Sequence, residues 1–377
     1  MSNPVKPRGL DGVVAAQTRL SHVDGQAGKL IIGGYELSEL AGRVSFEEAA
    51  HLLWCGHLPS RDEADRLRGE IAGLRALPDE VLHVVRAAAK TPPIDALRMA
   101  CAMLSLELRN PDGIALEDDL DAAKRLTAQF PTVVAAHARI GAGKQPIAPR
   151  ADLPHAANFL YMVHGKEPDP IAARAIDTYW VTVIDHGMNA STFAARVIAS
   201  TRSDMVSAVT GAIGALKGPL HGGAPGPVLG MLKQIGSVER AEQWVRNELA
   251  AGRRIMGFGH RVYKVRDPRA DVLSRVADEM STAALEDRKL FDLARSVEQT
   301  VLKVLEEVKP GRTLRTNVEF YTALLLEALG IPRAGFTPIF GAGRSAGWVA
   351  HAVEQATTGR IIRPQSRYVG PWPAEAA

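Results

Sequence analysis

The feature that most constrains the fold is a helical periodicity that runs along nearly the whole chain. Apolar residues recur at three- and four-residue spacing, as at Leu290, Leu293 and Val297, and this spacing is typical of amphipathic helices. Capping boxes at 45–48 and 60–63 mark the starts of two of these helices. Strands and helices do not alternate, so a nucleotide-binding α/β fold is disfavoured. The sequence therefore predicts an all-α protein.

One short region near the N-terminus departs from this pattern. Residues 18–23 and 29–35 are strand-like, and the turn residues 24–28 separate them, which predicts a small β-hairpin. Elsewhere some predicted helices, such as 207–216, are apolar on more than one face. A helix of that kind lies either in a core or at a subunit interface. The pattern does not decide between these two positions.

The composition is that of an ordinary globular protein. Hydrophobic residues make up 46% of the 377 residues, charged residues make up 23%, and the formal net charge is +3. So small a charge gives no general reason to expect a nucleic-acid partner. The first residues are polar, and no uncharged apolar run reaches the roughly 18 residues of a membrane span. We therefore expect a cytoplasmic protein that has no membrane partner.

The two cysteines, Cys55 and Cys101, are too few for a disulfide framework and have no metal-type spacing. Both lie in apolar, helix-like stretches, so we expect two small core residues. Unpaired thiols also fit a reducing cytoplasm.

Three segments place chemically active side chains where the backbone is restricted. The first is 217–225, in which His221 lies between Gly218-Pro219 and Gly222-Gly223. Glycines at such a loop allow a ligand or another backbone to approach closely. A histidine that merely completes the hydrogen bonds of a loop is an equally good explanation of this segment taken alone.

The second segment, 256–269, contains His260 and four cationic side chains beside the glycines of Gly257-Phe258-Gly259. A dense basic loop is usually just a solvated surface. The same density also suits recognition of polyphosphates or carboxylates, because arginine binds these groups with two parallel hydrogen bonds.

The third segment, 316–321, places Glu319 between Val318 and Phe320 at the predicted start of a helix. Burial there would raise the pKa of the carboxyl group toward that of a useful general base. A glutamate at a helix N-terminus more often only complements the helix dipole.

No metal site is expected from the histidine spacing. The eleven histidines form neither an HxxxH nor an HExxH pattern. The histidines that glycines flank also lack carboxylates at the spacing of metal ligands.

Taken together, the three segments resemble the citrate synthase family. The segments that carry this resemblance are GPLHGGA at 218–224, MGFGHRVYKVRDPR at 256–269, IDHGMNAST at 184–192 and FTPIF at 336–340. The resemblance begins at Ser21-His-Val-Asp-Gly25 and reaches Arg363-Pro364. It implies an all-α fold with a large helical domain, 1–218 and 326–377, and an inserted small helical domain, 219–325. The active site would lie in the cleft between the domains, and the protein would be a homodimer.

The same resemblance implies roles for individual residues. His221 would hydrogen-bond the thioester oxygen, His260 would polarise the oxaloacetate carbonyl, and Glu319 would be the base. Oxaloacetate would be bound by His186, Arg269, Arg344 and, across the dimer interface, Arg363. CoA would be bound by Lys264, Arg261, Gly257 and Gly259. The CoA thioester is a substrate, and the resemblance implies no other cofactor and no metal.

The implied reaction condenses acetyl-CoA with oxaloacetate and water to give citrate and CoA. The chain departs from the family at its base, which is usually an aspartate in NVDFY, whereas residues 317–321 read NVEFY. The additional methylene displaces the carboxylate by about 1 Å unless the pocket compensates. The pattern looks like a feature of a bacterial subgroup.

Two alternatives remain. A 2-methylcitrate synthase would use propionyl-CoA with the same machinery, and one methylene in an apolar pocket discriminates by only about 1–3 kcal/mol. A catalytically silent helical scaffold is disfavoured, because His221, His260, Glu319 and the arginines are all present.

Overall fold

A computed structural model describes residues 9–10, 12–108, 120–222, 225–283, 288–311 and 314–372. Within these ranges the protein consists mostly of α-helices, with one small sheet near the N-terminus, so the predicted all-α class is confirmed. The helices are α1 Leu37–Leu40, α2 Phe46–Cys55, α3 Arg61–Leu74, α4 Asp79–Ala87, α5 Pro93–Met103, α6 Leu120–Gly141, α7 His155–His164, α8 Pro170–Val183, α9 Ala190–Ala199, α10 Met205–Leu216, α11 Pro225–Ile235, α12 Val238–Ala250, α13 Pro268–Ala283, α14 Arg288–Val308, α15 Val318–Ala328 and α16 Phe336–Thr358. No helix in these ranges is long and apolar enough to cross a membrane.

The predicted N-terminal hairpin is present and carries a third, shorter strand. Strands β1 Ser21–Asp24, β2 Lys29–Ile32 and β3 Tyr35–Glu36 form an antiparallel sheet in that order. Both capping boxes are present as well: the hydroxyls of Ser45 and Ser60 accept hydrogen bonds from the backbone amides three residues later. Local sequence signals therefore located these elements correctly.

Helix α16 is the centre of the core, and small residues let other elements approach it closely. A Cβ atom at Gly343 would lie 2.6 Å from the ring of Trp180, and one at Gly347 would lie 2.2 Å from the carbonyl oxygen of Ile184. A larger side chain at Gly343 would displace the ring of Trp180, and one at Gly347 would displace the backbone at Ile184. This close packing brings Arg344 of α16 against the end of α8.

Helices α11 to α15 pack largely on one another. Helix α12 contacts α14, and α15 contacts both α11 and α13. Helices α13 and α15 also contact α8, which joins this group to the rest of the protein. The domain boundaries at 218/219 and 325/326 stay a prediction.

One expectation about the cysteines is wrong. Cys101 is buried, but Cys55 is exposed. Cys55 is the last residue of α2 and is followed by Gly56 in the left-handed conformation, φ +84°. The helix has left the core by this turn, so an apolar stretch in the sequence does not bury its final residue.

A histidine in the core makes stability depend on pH. The His155 ring stacks on Phe46, with centroids 5.8 Å apart, and its Nδ1 accepts a hydrogen bond from Nε of Arg75. Burial, followed by the charge of Arg75, lowers the pKa of His155 to about 3 from an ordinary 6.5. The unfolded chain therefore binds a proton at this residue over a pH range in which the folded protein does not.

We expect the free energy of unfolding to fall as the pH is lowered from about 6.5 toward 3, since protons favour the unfolded state in this window. Urea titrations at several pH values would measure the slope. His155→Gln keeps an acceptor for Arg75 but cannot titrate. The slope of its free energy of unfolding against pH should therefore be smaller, by an amount that corresponds to at most one bound proton. An unchanged slope would show that His155 does not contribute.

Candidate active site

Backbone hydrogen bonds connect the segment that contains His260 to the residues that precede Glu319. The amide of Gly259 donates to the carbonyl of Arg315 at 2.7 Å, and the amide of Asn317 donates to the carbonyl of Gly257 at 3.0 Å. Gly257 has φ +84°, and a Cβ atom there would lie 2.9 Å from Phe320, so glycine is required on both counts. This pairing places His260 beside the first turn of α15, which carries Glu319.

The hydrogen bonds of His260 define its tautomer. Its Nδ1 accepts from the amides of Val262 and Tyr263, each at 3.1 Å, so in the neutral ring the proton lies on Nε2. Burial and the charge of Arg269 lower the pKa of His260 to about 4, which keeps the ring neutral at pH 7. The Nη2 atom of Arg269 lies 3.3 Å from Nε2. Both atoms are donors, so they converge on a position that suits one acceptor.

Arg269 is held by a buried carboxylate. Its Nε and Nη2 donate to the two oxygens of Asp267 at 3.0 and 2.8 Å, and the side chains are only 5% and 1% exposed. The same Asp267 accepts a hydrogen bond from the amide of Val318, the first residue of α15. Burial alone would lower the pKa of Arg269, but Asp267 outweighs it and raises this pKa. Asp267 thus joins the arginine to the helix of Glu319.

Glu319 lies in the first turn of α15 and has an unsatisfied oxygen. Its Oε2 atom is buried and has no hydrogen-bond partner among the described residues. Burial is the largest influence on its pKa and raises it; the charge of Arg269 opposes this shift, and that of Asp267 adds to it. A buried carboxylate oxygen without a donor is a suitable proton acceptor.

The His221 side chain is held by hydrogen bonds that connect it, through the hydroxyl of Ser191, to Trp348 and Asn189. Its Nε2 lies 2.7 Å from the hydroxyl of Ser191, and that hydroxyl also accepts a hydrogen bond from the indole of Trp348 at 3.1 Å. The oxygen of the Asn189 side chain lies 2.7 Å from the same hydroxyl. Burial, then the charge of Arg344, lowers the pKa of His221 to about 4. With Nε2 occupied, Nδ1 is the ring nitrogen left for another partner.

His186 lies between α8 and α9 and faces His260. The two rings are 5.7 Å apart in an edge-to-face arrangement, and Nε2 of His186 lies 3.1 Å from the hydroxyl of Tyr263. Burial, followed by the charges of Arg269 and Arg344, holds the pKa of His186 well below its ordinary value. All three histidines of the site are therefore neutral at pH 7.

Arg344 of α16 completes the cluster. Its Nε donates to the carbonyl of Val183, and its guanidinium carbon lies 4.7 Å from the ring centroid of Phe340. The rings of Phe340 and His221 are also near each other in an edge-to-face arrangement, with centroids 6.5 Å apart. Burial lowers the pKa of Arg344 to about 10, against the influence of Asp185. The residue remains a cation at neutral pH, so the site presents two buried positive charges.

The structure does not bring every predicted site residue into this cluster. Lys264 and Arg261 are exposed, and the ammonium of Lys264 donates to the carbonyl of Arg261. Arg363 is exposed on the segment after α16. The contacts described for Gly257 and Gly259 are backbone pairings, and their role in CoA binding stays a prediction.

Four residues beside the site escaped the sequence reasoning: Ser191, Trp348, Asp267 and Tyr263. Ser191 lies in the segment IDHGMNAST and Asp267 in DPR, but neither spacing reveals a contact with a side chain of the site. Trp348 is 157 residues from Ser191. Only the packing of α16 on α9 brings those two residues together.

Comparisons with known proteins agree on one family. The sequence profile described as "Citrate synthase, C-terminal domain" matches residues 9–365. The citrate synthase of Haloferax volcanii is 43% identical over 376 residues, covering 98% of this chain and 97% of that protein. The 2-methylcitrate synthase of Mycobacterium tuberculosis is 40% identical over 372 residues, covering 96% and 90%.

A solved structure gives the same result for the fold. It is the ternary complex of citrate synthase from Thermoplasma acidophilum with carboxymethyl coenzyme A and oxaloacetate. The two chains are 28% identical and superpose with a TM-score of 0.89, which covers 99% of this chain and 98% of the other.

Proposed function

The chain belongs to the citrate synthase family, and from this membership we propose that it condenses acetyl-CoA with oxaloacetate and water to give citrate and CoA. The observation that carries the proposal is the juxtaposition of the unpartnered Glu319 Oε2 with the two donors of His260 and Arg269. A base and an electrophilic pair are both needed to join an enolate to a ketone. We place the reaction in the cytoplasm, as the sequence led us to expect.

Oxaloacetate is a dianion, and the two buried guanidinium groups of Arg269 and Arg344 match its carboxylates. His186, held by Tyr263, donates a further hydrogen bond. The ketone oxygen then lies at the point where Nε2 of His260 and Nη2 of Arg269 converge. Held in this way, the carbonyl carbon is fixed and polarised, which lowers the barrier to attack.

Glu319 removes a proton from the methyl carbon of acetyl-CoA, and the thioester oxygen takes up the developing charge. Nδ1 of His221 donates to that oxygen once the hydroxyl hydrogen of Ser191 turns from the Asn189 side-chain oxygen to Nε2 of His221, which then accepts a hydrogen bond. The enolate carbon forms a bond to the ketone carbon of oxaloacetate, and the new alkoxide takes the Nε2 proton of His260. The methyl proton held by Glu319 then replaces the proton that His260 has given up, so both groups return to their starting forms. Water then cleaves the thioester of citryl-CoA and releases CoA with citrate. Lys264 and Arg261, both exposed, bind the phosphates of CoA.

Initial rates of thiol release with acetyl-CoA and with propionyl-CoA test the proposal. We expect kcat/KM to be higher with acetyl-CoA. The similarity to a 2-methylcitrate synthase makes propionyl-CoA the second candidate substrate. A preference for propionyl-CoA would assign the chain to that activity, and no oxaloacetate-dependent thiol release with either substrate would contradict both.

We further propose that the active unit is a homodimer. The segment after α16 exposes several apolar side chains, among them Ile361 at 63% and Trp372 at 78%. Exposed apolar surface of this kind is typical of a contact with another chain. Arg363 lies in the same segment, so its guanidinium group could extend into the active site of a second copy of the chain.

Mixed dimers test this sharing of residues. Arg363→Ala and His260→Ala chains should each be nearly inactive as pure dimers. A mixed dimer holds one site that has lost neither residue, so mixing the two chains should restore part of the activity. Subunit exchange would be checked independently with differently tagged chains. Exchange without any recovery of activity would contradict a site built from both subunits.

A further inference from the structure

A group of potential metal ligands that shares no residue with the candidate active site lies at the turn between α2 and α3. It consists of His51 on α2, His57 in the turn and Glu63 in the first turn of α3. His51 is only 8% exposed, whereas His57 is open to solvent. The spacing of six residues between successive members matches no common metal motif. Only the reversal of the chain at Gly56 brings the three together.

The distances within this group suit a single small cation. One ligand atom from each residue lies within 4.8 Å of the other two. Nε2 of His57 is 3.5 Å from Oε1 of Glu63, and the two histidine rings meet edge to face with centroids 5.0 Å apart. Ligands of a tetrahedral zinc ion lie about 3.3 Å from one another, because zinc–nitrogen and zinc–oxygen bonds are about 2.0–2.1 Å long. The His57–Glu63 pair already has about this separation. Small movements of both side chains, which are 58% and 36% exposed, would bring them to the same distance from His51.

Hydrogen bonds fix the side chains of two of the ligands, His51 and Glu63. Nδ1 of His51 lies 3.1 Å from the carbonyl oxygen of His57, so in the neutral ring Nδ1 carries the proton and Nε2 has the lone pair that a metal ion requires. Oε2 of Glu63 accepts from the amide and the hydroxyl of Ser60, each at 2.8 Å. These two bonds lower the pKa of Glu63 to about 2. Carbonyl and hydroxyl partners of this kind are the usual support of metal ligands.

We propose that His51, His57 and Glu63 form a binding site for a divalent transition-metal cation of the zinc type. Two imidazoles and one carboxylate suit Zn²⁺ and its neighbours Cu²⁺ and Ni²⁺, whereas Mg²⁺ and Ca²⁺ require more oxygen ligands. Three protein ligands leave one position for water. The bound cation would clamp the α2–α3 turn and stabilise the folded chain by mass action. None of the three ligands is a residue of the candidate active site.

Zinc binding to tag-free protein tests the proposal by competition with a chromophoric chelator. The parent chain should bind Zn²⁺ at this site, and excess Mg²⁺ should not displace it. His57→Ala and Glu63→Gln should each weaken binding by at least about tenfold. Both substitutions are mild for folding, since His57 is exposed and glutamine also completes a capping box. Thermal midpoints should rise with Zn²⁺ in the parent and not in these variants.

Two matched variants separate this site from other zinc ligands. His83→Ala removes an exposed histidine of α4, and Cys55→Ser removes the exposed thiol beside the turn. Both should bind Zn²⁺ as the parent does. Absence of binding in the parent, unchanged binding in both ligand variants, or a loss confined to Cys55→Ser would overturn the proposal. Displacement by Mg²⁺ at similar concentration would overturn it as well.

Discussion

Glu319→Gln is expected to lower the rate of condensation by at least about 10²-fold, because the amide keeps the shape of the side chain but cannot accept a proton. Oxaloacetate should still bind nearly normally, since Arg269, Arg344 and His186 are unchanged. The thermal midpoint should not fall, because burial disfavours the charged form of Glu319 in the folded protein. An activity loss with intact folding and intact binding identifies the base.

The most direct measurement is exchange of the methyl protons of acetyl-CoA with solvent deuterium, in the presence of an oxaloacetate analogue that cannot condense. Glu319→Gln should abolish this exchange. Glu319→Asp is the informative companion, because it restores the base usual in the family but retracts the carboxylate by about 1 Å. If the pocket is fitted to the longer side chain, the Glu319→Asp variant should exchange the methyl protons more slowly than the parent protein. Exchange in Glu319→Gln at the parent rate would assign proton removal to another group.

Asp267→Ala is expected to destabilise the protein by about 3–5 kcal/mol, because it leaves the buried charge of Arg269 without its partner. The amide of Val318 would lose its acceptor as well. Urea unfolding measures the change in the free energy of unfolding. Activity should fall along with stability, since Arg269 would no longer be held beside His260.

Asp271→Ala is the matched control. Asp271 also pairs with an arginine, Arg266, but its side chain is 55% exposed. Ion pairs in solvent contribute only about 0–1 kcal/mol, so this variant should be close to the parent. Equal decreases in the free energy of unfolding of the two variants would show that burial is not the reason why the Asp267–Arg269 pair stabilises the protein.

The sequence was most informative where function imposes an unusual local pattern. Glycines on both sides of His221 and before His260, and apolar residues on both sides of Glu319, stand out without any knowledge of the fold. The helical periodicity and the capping boxes at Ser45 and Ser60 were equally local signals. Each of these features depends on residues within a few positions of one another, so a single sequence contains them.

The rest depended on contacts between distant segments. No local pattern reveals that Trp348 donates to Ser191, or that the amide of Val318 requires Asp267. The tautomer of His260 follows from two backbone amides whose directions exist only in the folded loop. Cys55 was misplaced for a related reason, because hydrophobicity does not tell where a helix leaves the core. The His51, His57 and Glu63 group likewise needed the turn at Gly56 before it could be recognised.

The central position of α16 also bears on how the chain is made. Synthesis begins at the N-terminus, so residues 336–358 leave the ribosome after every other described helix. Until then, the surfaces of α6, α9 and α10 that will pack on α16 have no partner, and exposed apolar surface in a growing chain promotes aggregation. The core can close only once residue 358 has emerged, so these apolar surfaces stay exposed until late in translation.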